Sequence, residues 1–346
     1  MSYHNRSSLP ESQLEQVRSV FESALPAAGP AREGSLPDIR LTLSESANQY
    51  LLIEEAHKDE EAQTWIVSWS RALPAHASVP GLSLERKLIW QQSEPILDFS
   101  AWDTGMVVLS PSRVALYQRQ GNQWTLRQEV MVPGPHPRDP RGRLRLNGKR
   151  IEAFLPGVAC LGDAAASLSL NCRPSDDPWV LESGKHALLL AHFAADRNYF
   201  DGSLVLQDGA HKMVPPFYSM AAAEEAGGTL WLLTQLDGQT EIFGAGWEPV
   251  AAIPSWGSDL VGVNGPCGVQ VLATRPGGEG TESGQPDALQ AFAIANHAAV
   301  PASAPLPFAG EITALWPASS SSATVVLRDP ADRHYAAYVV TLVCGS

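Results

Sequence analysis

Short apolar β-forming runs recur along this chain at a nearly constant interval, and that period restricts the folds open to it. They centre near Ile66 (TWIVSW), Val107 (MVVLS), Leu146 (LRLNG, then IEAFL), Leu188 (ALLLAHF), Leu230 (TLWLLTQ), Val271 (VQVLATR) and Val325 (ATVVLRD). Successive centres are 41, 39, 42, 42, 41 and 54 residues apart, and the long interval holds the low-complexity stretch from Pro276 to Gly284. Each run is followed by a turn and a further alternating strand. The order is plain in Ile96–Trp102, Met106–Ser110, Val114–Tyr117 and Trp124–Val130. It recurs in Thr229–Gln235 and Thr240–Phe243, where the intervening Asp237-Gly238 is a strong hairpin signal because such turns need positive φ.

A four-stranded meander of about 40 to 45 residues has the period of a propeller blade. The spacing therefore predicts an all-β chain, a seven-bladed β-propeller, with six or eight blades as the neighbouring counts and a pair of β-sandwiches as the rival. The inner strands read as apolar runs and the outer strands alternate. Pairing of the two termini in one blade would close the ring, so Ile39–Leu43 or Tyr50–Ile53 is expected to complete the blade containing Tyr335–Val343. Before them, Leu14, Val17, Val20, Phe21 and Leu25 recur at helical spacing up to Pro26. Residues 1–37 are thus expected to be a polar arm with a short N-terminal helix and a linker, and residues 38–346 the propeller.

Composition agrees with many short strands joined by tight turns. Only 18% of the 346 residues are charged, while 28 Gly, 27 Pro and 10 Trp are present. The net charge of −13 repels phosphate backbones and anionic lipid, which argues against nucleic-acid partners. No stretch reaches the roughly 18 apolar residues of a transmembrane segment. One basic cluster, Arg138, Arg141, Arg143, Arg145, Lys149 and Arg150, interrupts the acidic background. Pro135, Pro137, Pro140 and Gly142 mark much of it as a solvated loop, with contact to an anionic partner as the alternative.

Four cysteines, Cys160, Cys172, Cys267 and Cys344, match no zinc spacing. An even, sparse set in a chain with a large core fits two disulfides in an oxidising compartment. Cys160 and Cys172 bracket what reads as a short loop and are the easiest pair to join. Cys267 with Cys344 would then tie the last strand to a segment far upstream. Spacing alone leaves all three connectivities open. The compartment implied is secreted or periplasmic. No apolar core follows Met1, so if the disulfides form, a leader is expected to precede this sequence in the natural precursor.

No linear signature of catalysis is present. There is no G-x-S-x-G elbow, H-E-x-x-H, Walker loop or G-x-G-x-x-G after a strand, so no catalytic residue and no cofactor is assigned. Ser255–Asp259 reads as a loop capped by Trp256 at the start of a blade. Six residues apart on one strand, His186 and His192 would share a face. With Asp196, and with Asp201 and His211 nearby, they are weak metal candidates, and structural roles are favoured because no third ligand is in view. Trp102, Trp124, Trp179, Trp231, Trp247, Trp256 and Trp316 fall at strand ends, where large rings fill the wedge between blades or rim the channel. Trp102, Trp256 and Trp316, with Arg141 and Arg143, form the candidate binding surface.

The phrases Gly257-Ser258-Asp259-Leu260-Val261-Gly262-Val263 and Val269-Gln270-Val271-Leu272-Ala273-Thr274 resemble blades of bacterial extracytoplasmic propellers of the VCBS/FG-GAP-like kind. The segments Leu14–Leu25 and Asp38–Arg71 resemble the lead-in of periplasmic TolB-type envelope propellers. The resemblance implies an extracytoplasmic propeller, but not its calcium. Asp196 to Asp201-Gly202 has the wrong spacing for a D-x-D-x-D-G loop, and Asp329 to Asp332 has only two acids. The expected function is a non-catalytic scaffold binding another protein or a surface glycan at one face or the channel mouth. One alternative is a propeller hydrolase or lyase acting on a glycan or lactone-like substrate, which needs ionisable residues from several blades at the axis. Another is a self-associating subunit of a surface layer or fibre, and the oligomeric state is not fixed by the sequence.

Overall fold

The computed structural model describes all residues except 1, 7–37, 46–48, 59–60, 71–81, 122, 134–140, 165–166, 184–186, 226–227, 254–255, 266, 277–286, 330–333 and 345–346. The helix expected over Leu14–Leu25 lies outside the described residues, as do Arg138 and His186. The chain divides into two compact units, Met1–Ala75 and His76–Ser346.

The first unit holds one sheet in the order β1 (Ser2–Arg6), β2 (Asp38–Glu45), β3 (Gln49–Lys58) and β4 (Glu61–Ser70). β1 runs parallel to β2, and the other pairs are antiparallel. Leu41 and Leu43 alternate on one face of β2 and are buried. The Ile66 run falls in β4, where Trp65, Ile66 and Val67 are exposed.

The second unit begins with β5 (Leu82–Gln92) and continues as successive antiparallel meanders. Blade 1 comprises β6 (Asp98–Trp102), β7 (Gly105–Ser110), β8 (Arg113–Gln120) and β9 (Gln123–Met131). Blade 2 comprises β10 (Arg143–Asn147), β11 (Arg150–Leu155), β12 (Val158–Ala164) and β13 (Leu168–Pro174). Blade 3 comprises β14 (Trp179–Ser183), β15 (Ala187–Phe193), β16 (Phe200–Val205) and β17 (His211–Met213). Blade 4 comprises β18 (Phe217–Glu225), β19 (Gly228–Gln235), β20 (Thr240–Phe243) and β21 (Pro249–Ile253). A single pair, Phe200 with Phe217, links blades 3 and 4. Blade 5 comprises β22 (Leu260–Gly265), β23 (Gly268–Pro276), β24 (Asp287–Ala295) and β25 (Ala298–Pro301), and the short β26 (Leu306–Pro307) also pairs with β24. Blade 6 comprises β27 (Glu311–Ser319), β28 (Ser322–Asp329) and β29 (His334–Cys344), with β5 as its fourth strand.

This is a β-propeller built from repeated four-stranded sheets. The expectation of seven blades counted the Ile66 run, which belongs to the sheet of the first unit; the described strands of the second unit form six sets. The closing strand also differs from expectation. Leu82–Gln92 pairs with His334–Cys344 from Leu82↔Cys344 to Gln92↔Tyr335, whereas Ile39–Leu43 and Tyr50–Ile53 pair with each other's strands. The reason is visible in β5 itself: an outermost strand keeps one face wet, and LSLERKLIWQQ is mostly polar and half exposed.

Burial follows strand position. Every residue of β7 is buried, while the outer β9 is almost wholly open to solvent. The Asp237-Gly238 signal is realised between β19 and β20, where Gly238 adopts φ +83° and the Asp237 carboxylate accepts from the Gln239 amide. The apolar core lies in layers between consecutive blades. Val107, Leu109, Ile151 and Leu155 join blades 1 and 2, and Val261, Leu272, Leu315 and Val325 join blades 5 and 6. A layer of Phe154, Trp179, Phe193, Phe200 and Phe217 runs through blades 2, 3 and 4. The inner strands β6, β10, β14, β18, β22 and β27 thereby surround a central axis.

Two disulfides fasten the blades. Cys160 and Cys172 face each other across β12 and β13 with Cα atoms 4.0 Å apart, so the segment between them is a hairpin and not the loop expected. Cys267, in the turn between β22 and β23, joins Cys344 at the end of β29, linking blade 5 to the closing blade.

Candidate functional site at the channel axis

Alternation along the inner strand of blade 2 decides what fills the axis. Successive side chains of a strand point to opposite faces, so Leu144 and Leu146 turn into the layer shared with blade 1. Arg143 and Arg145 turn the other way, as does Arg141 just before the strand. Arg141 and Arg143 are only 7% and 4% exposed. This corrects the solvated-loop reading for Arg141, Arg143 and Arg145, whose guanidinium groups are turned inward and each met by an acid from another blade, while Lys149 and Arg150 are exposed.

Arg141 crosses the axis. Its Nη2 donates to Oδ1 of Asp259, immediately before the inner strand of blade 5, and its Nη1 donates to the Tyr218 carbonyl of blade 4. Asp259 Oδ2 also accepts from the Ser258 hydroxyl at 2.6 Å. Arg143 donates from Nη1 to Oδ2 of Asp98 at 2.9 Å, and its Nη2 reaches Glu182 and the Pro317 carbonyl. Arg145 is paired with Glu182 of blade 3 and with Glu152 of its own sheet.

Asp98 is fully buried. Its carboxylate accepts from the amides of Phe99 at 2.8 Å and Leu144 at 2.7 Å, from Arg143, and from the Thr324 hydroxyl at 3.4 Å. One acid thus ties blades 1, 2 and 6 together. Burial pushes its carboxyl up, against the opposing pull of the Arg143 charge and of the two amides. At Glu182 burial acts the same way, but the hydrogen bonds and charges of Arg145 and Arg143 outweigh it and hold the carboxyl below its ordinary range.

These charges separate two cavities. One, of about 390 Å³, opens where the inner strands end and is lined by Ser100, Arg143, Arg145, Asn147, Glu182 and Pro317 among others. The other, of about 330 Å³, opens where they begin. Every blade contributes to it: Ile96 and Leu97 from blade 1, Arg141 from blade 2, Asn198 from blade 3, Tyr218 from blade 4, Ser258 and Asp259 from blade 5, and Glu311, Thr313, Arg328 and Tyr335 from blade 6. Arg328 pairs with Glu311 there, just as Arg141 pairs with Asp259. Behind Glu311, Asp287 accepts from the Ile312 amide at 2.8 Å. Burial pushes the Asp287 carboxyl up to about 6, with the negative charges of Glu311 and Asp259 adding to it and the Ile312 amide opposing.

The aromatic candidates do not form a surface. Trp316 is buried, with the Arg143 guanidinium 4.9 Å and that of Arg141 5.9 Å from its ring centre. Trp256 is buried against Phe292, and only Trp102 is partly open, covering Gly105 beside the layer between blades 1 and 2. Large flat rings fill the inter-blade wedges, which removes Trp256 and Trp316 from the rim. Of the metal candidates, His186 lies outside the described residues, and the described ones take other neighbours. His192 lies 3.4 Å from Asp201, while Asp196 points outward beside Arg197. Among the described residues, no three His, Cys, Asp or Glu side chains converge to hold a metal ion.

Asp98, Glu182, Asp259, Asn198 and Tyr218 were not legible as site residues. Two signals were available: the alternation Arg141-x-Arg143-x-Arg145, which places three like charges on one face, and an acid set inside the apolar phrase Ile96-Leu97-Asp98-Phe99.

No known protein family matches the chain, and no curated protein does. Among solved structures it is similar to Kluyvelomyces marxianus Hsv2, at 10% identity and a TM-score of 0.33, covering 83% of this chain and 92% of that one. It is similar also to the Dos1 propeller, at 12% identity and a TM-score of 0.37, covering 88% and 93%. A KlHsv2 with loop 6CD replaced by a Gly-Ser linker gives 12% identity and a TM-score of 0.34 over 68% and 75%.

Proposed function

We propose that this protein is a non-catalytic, extracytoplasmic binding propeller that takes part of its partner into the 330 Å³ cavity at the mouth of the channel. The observation that carries this reading is the convergence of side chains from all six blades on that one mouth, while the ionisable groups around it are bonded to one another. Asp259 is held by Arg141, Glu311 by Arg328, Asp98 by Arg143 and Glu182 by Arg145. A carboxylate held in such a pair is poorly placed to take a proton from a substrate. The cations and carboxylates that line the mouth meet as completed pairs, and Asp287, whose carboxyl is raised to about 6, lies behind Glu311 and does not line the cavity.

A rigid ring with variable connecting loops is a natural platform for recognition. The two disulfides support the secreted or periplasmic location. The VCBS/FG-GAP-like phrases beginning at Gly257 and Val269 support a bacterial envelope setting.

Thermal unfolding of the intact chain tests the reading, against a panel of neutral methyl glycosides, sugar acids, amino sugars and capped dipeptides. At least one class should raise Tm, should be recovered chemically unchanged, and should lose its effect in Asn198→Trp, which fills the mouth from an exposed loop. An undiminished effect in that variant, conversion of the compound, or no effect from any class would overturn the reading.

A further inference from the structure

We infer that the occupant of this mouth is a neutral polyhydroxylated ring, the terminal unit of an uncharged glycan; the inference rests on the mouth being the binding site. Charge makes the first selection. The mouth holds two cations, Arg141 and Arg328, and two anions, Asp259 and Glu311, already combined as two pairs. A sugar acid or a phosphate would need a guanidinium that is not already held by a carboxylate, and an amine would need a free acid. At the buried Arg141–Asp259 pair either newcomer would leave one charge without a full partner, which is costly; the Arg328–Glu311 pair is 46% and 43% exposed and adds little to this selection.

Hydrogen-bonding capacity makes the second selection. A guanidinium has five N–H donors and a carboxylate about four acceptor positions, so both retain capacity after pairing. Ser258 and Thr313 add hydroxyls. Among the described residues, neither the Asn198 carboxamide nor the Tyr218 hydroxyl has a hydrogen-bond partner; Arg141 is bonded to the Tyr218 backbone carbonyl and leaves the side chain free. These groups are suited to hydroxyls that both donate and accept.

Shape makes the third. The cavity, about 330 Å³, is near the small end of the range for ligand sites, a volume that suits a single ring better than a folded segment. Pro95, Ile96 and Leu97 give it an apolar wall, and the Tyr218 ring is steadied edge-on by Tyr199, 6.5 Å away. An apolar wall, an aromatic ring and a collar of mixed donors and acceptors match the two characters of a pyranose, apolar C–H faces and a polar equator.

Calorimetric titration of the intact chain with methyl glucoside, methyl galactoside and methyl mannoside, beside glucuronic acid, glucosamine and a capped dipeptide, decides the matter. At least one neutral glycoside should bind about tenfold or more tightly than either charged sugar, and Asn198→Ala should weaken it by about tenfold, the loss of one or two hydrogen bonds. Tyr218→Phe should weaken it less than Tyr218→Ala, since the ring stays. Tighter binding of a charged sugar or of the dipeptide, abolished by Asn198→Trp, would overturn the sugar and leave the mouth standing. Absence of binding by every probe would overturn both.

Discussion

The guanidinium of Arg141, just before the inner strand of blade 2, is bonded to the carboxylate of Asp259, just before the inner strand of blade 5, three four-stranded sets further along the chain. Both side chains are buried and both line the mouth, so one ion pair links two distant blades and bounds the cavity.

Removing one member leaves the other buried and unpaired. Asp259→Ala should cost about 3–5 kcal/mol, read as a fall in the urea midpoint. Replacing both by apolar residues, Arg141→Met with Asp259→Leu, should cost clearly less than the two single changes added together. Strict additivity in that double-mutant cycle would show that the two groups do not interact.

Asp287 gives the fold a pH dependence of definite sign. Its folded pKa, about 6, lies above the unfolded value near 3.9. The protonated form is therefore favoured by folding, and its contribution is complete below about pH 4 and is lost as the pH rises through 6. Asp98, also raised, acts in the same direction. Unfolding free energies measured from pH 4 to pH 8 should decline across this window, and Asp287→Asn should flatten the decline. An unchanged slope in the variant would contradict the assignment.

The disulfides differ in the length of chain they close, with separations of 12 and 77 residues. On loop entropy alone they stabilise by about 3 and about 4.5 kcal/mol. Cys344→Ser should therefore lower Tm more than Cys172→Ser, and it should also speed hydrogen exchange in β29 and β5, whose pairing closes the ring. Equal losses, with no change of exchange in those strands, would argue against closure by this bridge.

Most individual strands were legible because apolar runs and turn residues are local signals. The runs at Val107, Leu230, Val271 and Val325 became β7, β19, β23 and β28. The run at Ile66 carries the same composition, yet its central residue is 64% exposed and its partner is the adjoining β3. Composition records the tendency to form a strand, not the sheet the strand joins. The closing strand was missed for the converse reason: the outer position of β5 gives it the charged pattern of a solvated segment. The site was hidden because its logic is pairwise and distant. Arg141 reads as a loop residue among prolines until it is set against Asp259, 118 residues later, and Arg143 until it is set against Asp98, 45 residues earlier.

The most direct test of the channel-mouth site is hydrogen exchange of the intact chain, followed by mass spectrometry, with and without a saturating neutral methyl glycoside. Binding at the mouth should slow exchange together in the segments around Asn198, Tyr218, Asp259 and Ile312, which four different blades bring to one cavity. Protection confined to the opposite end, around Arg145 and Pro317, or spread over none of these segments, would contradict it.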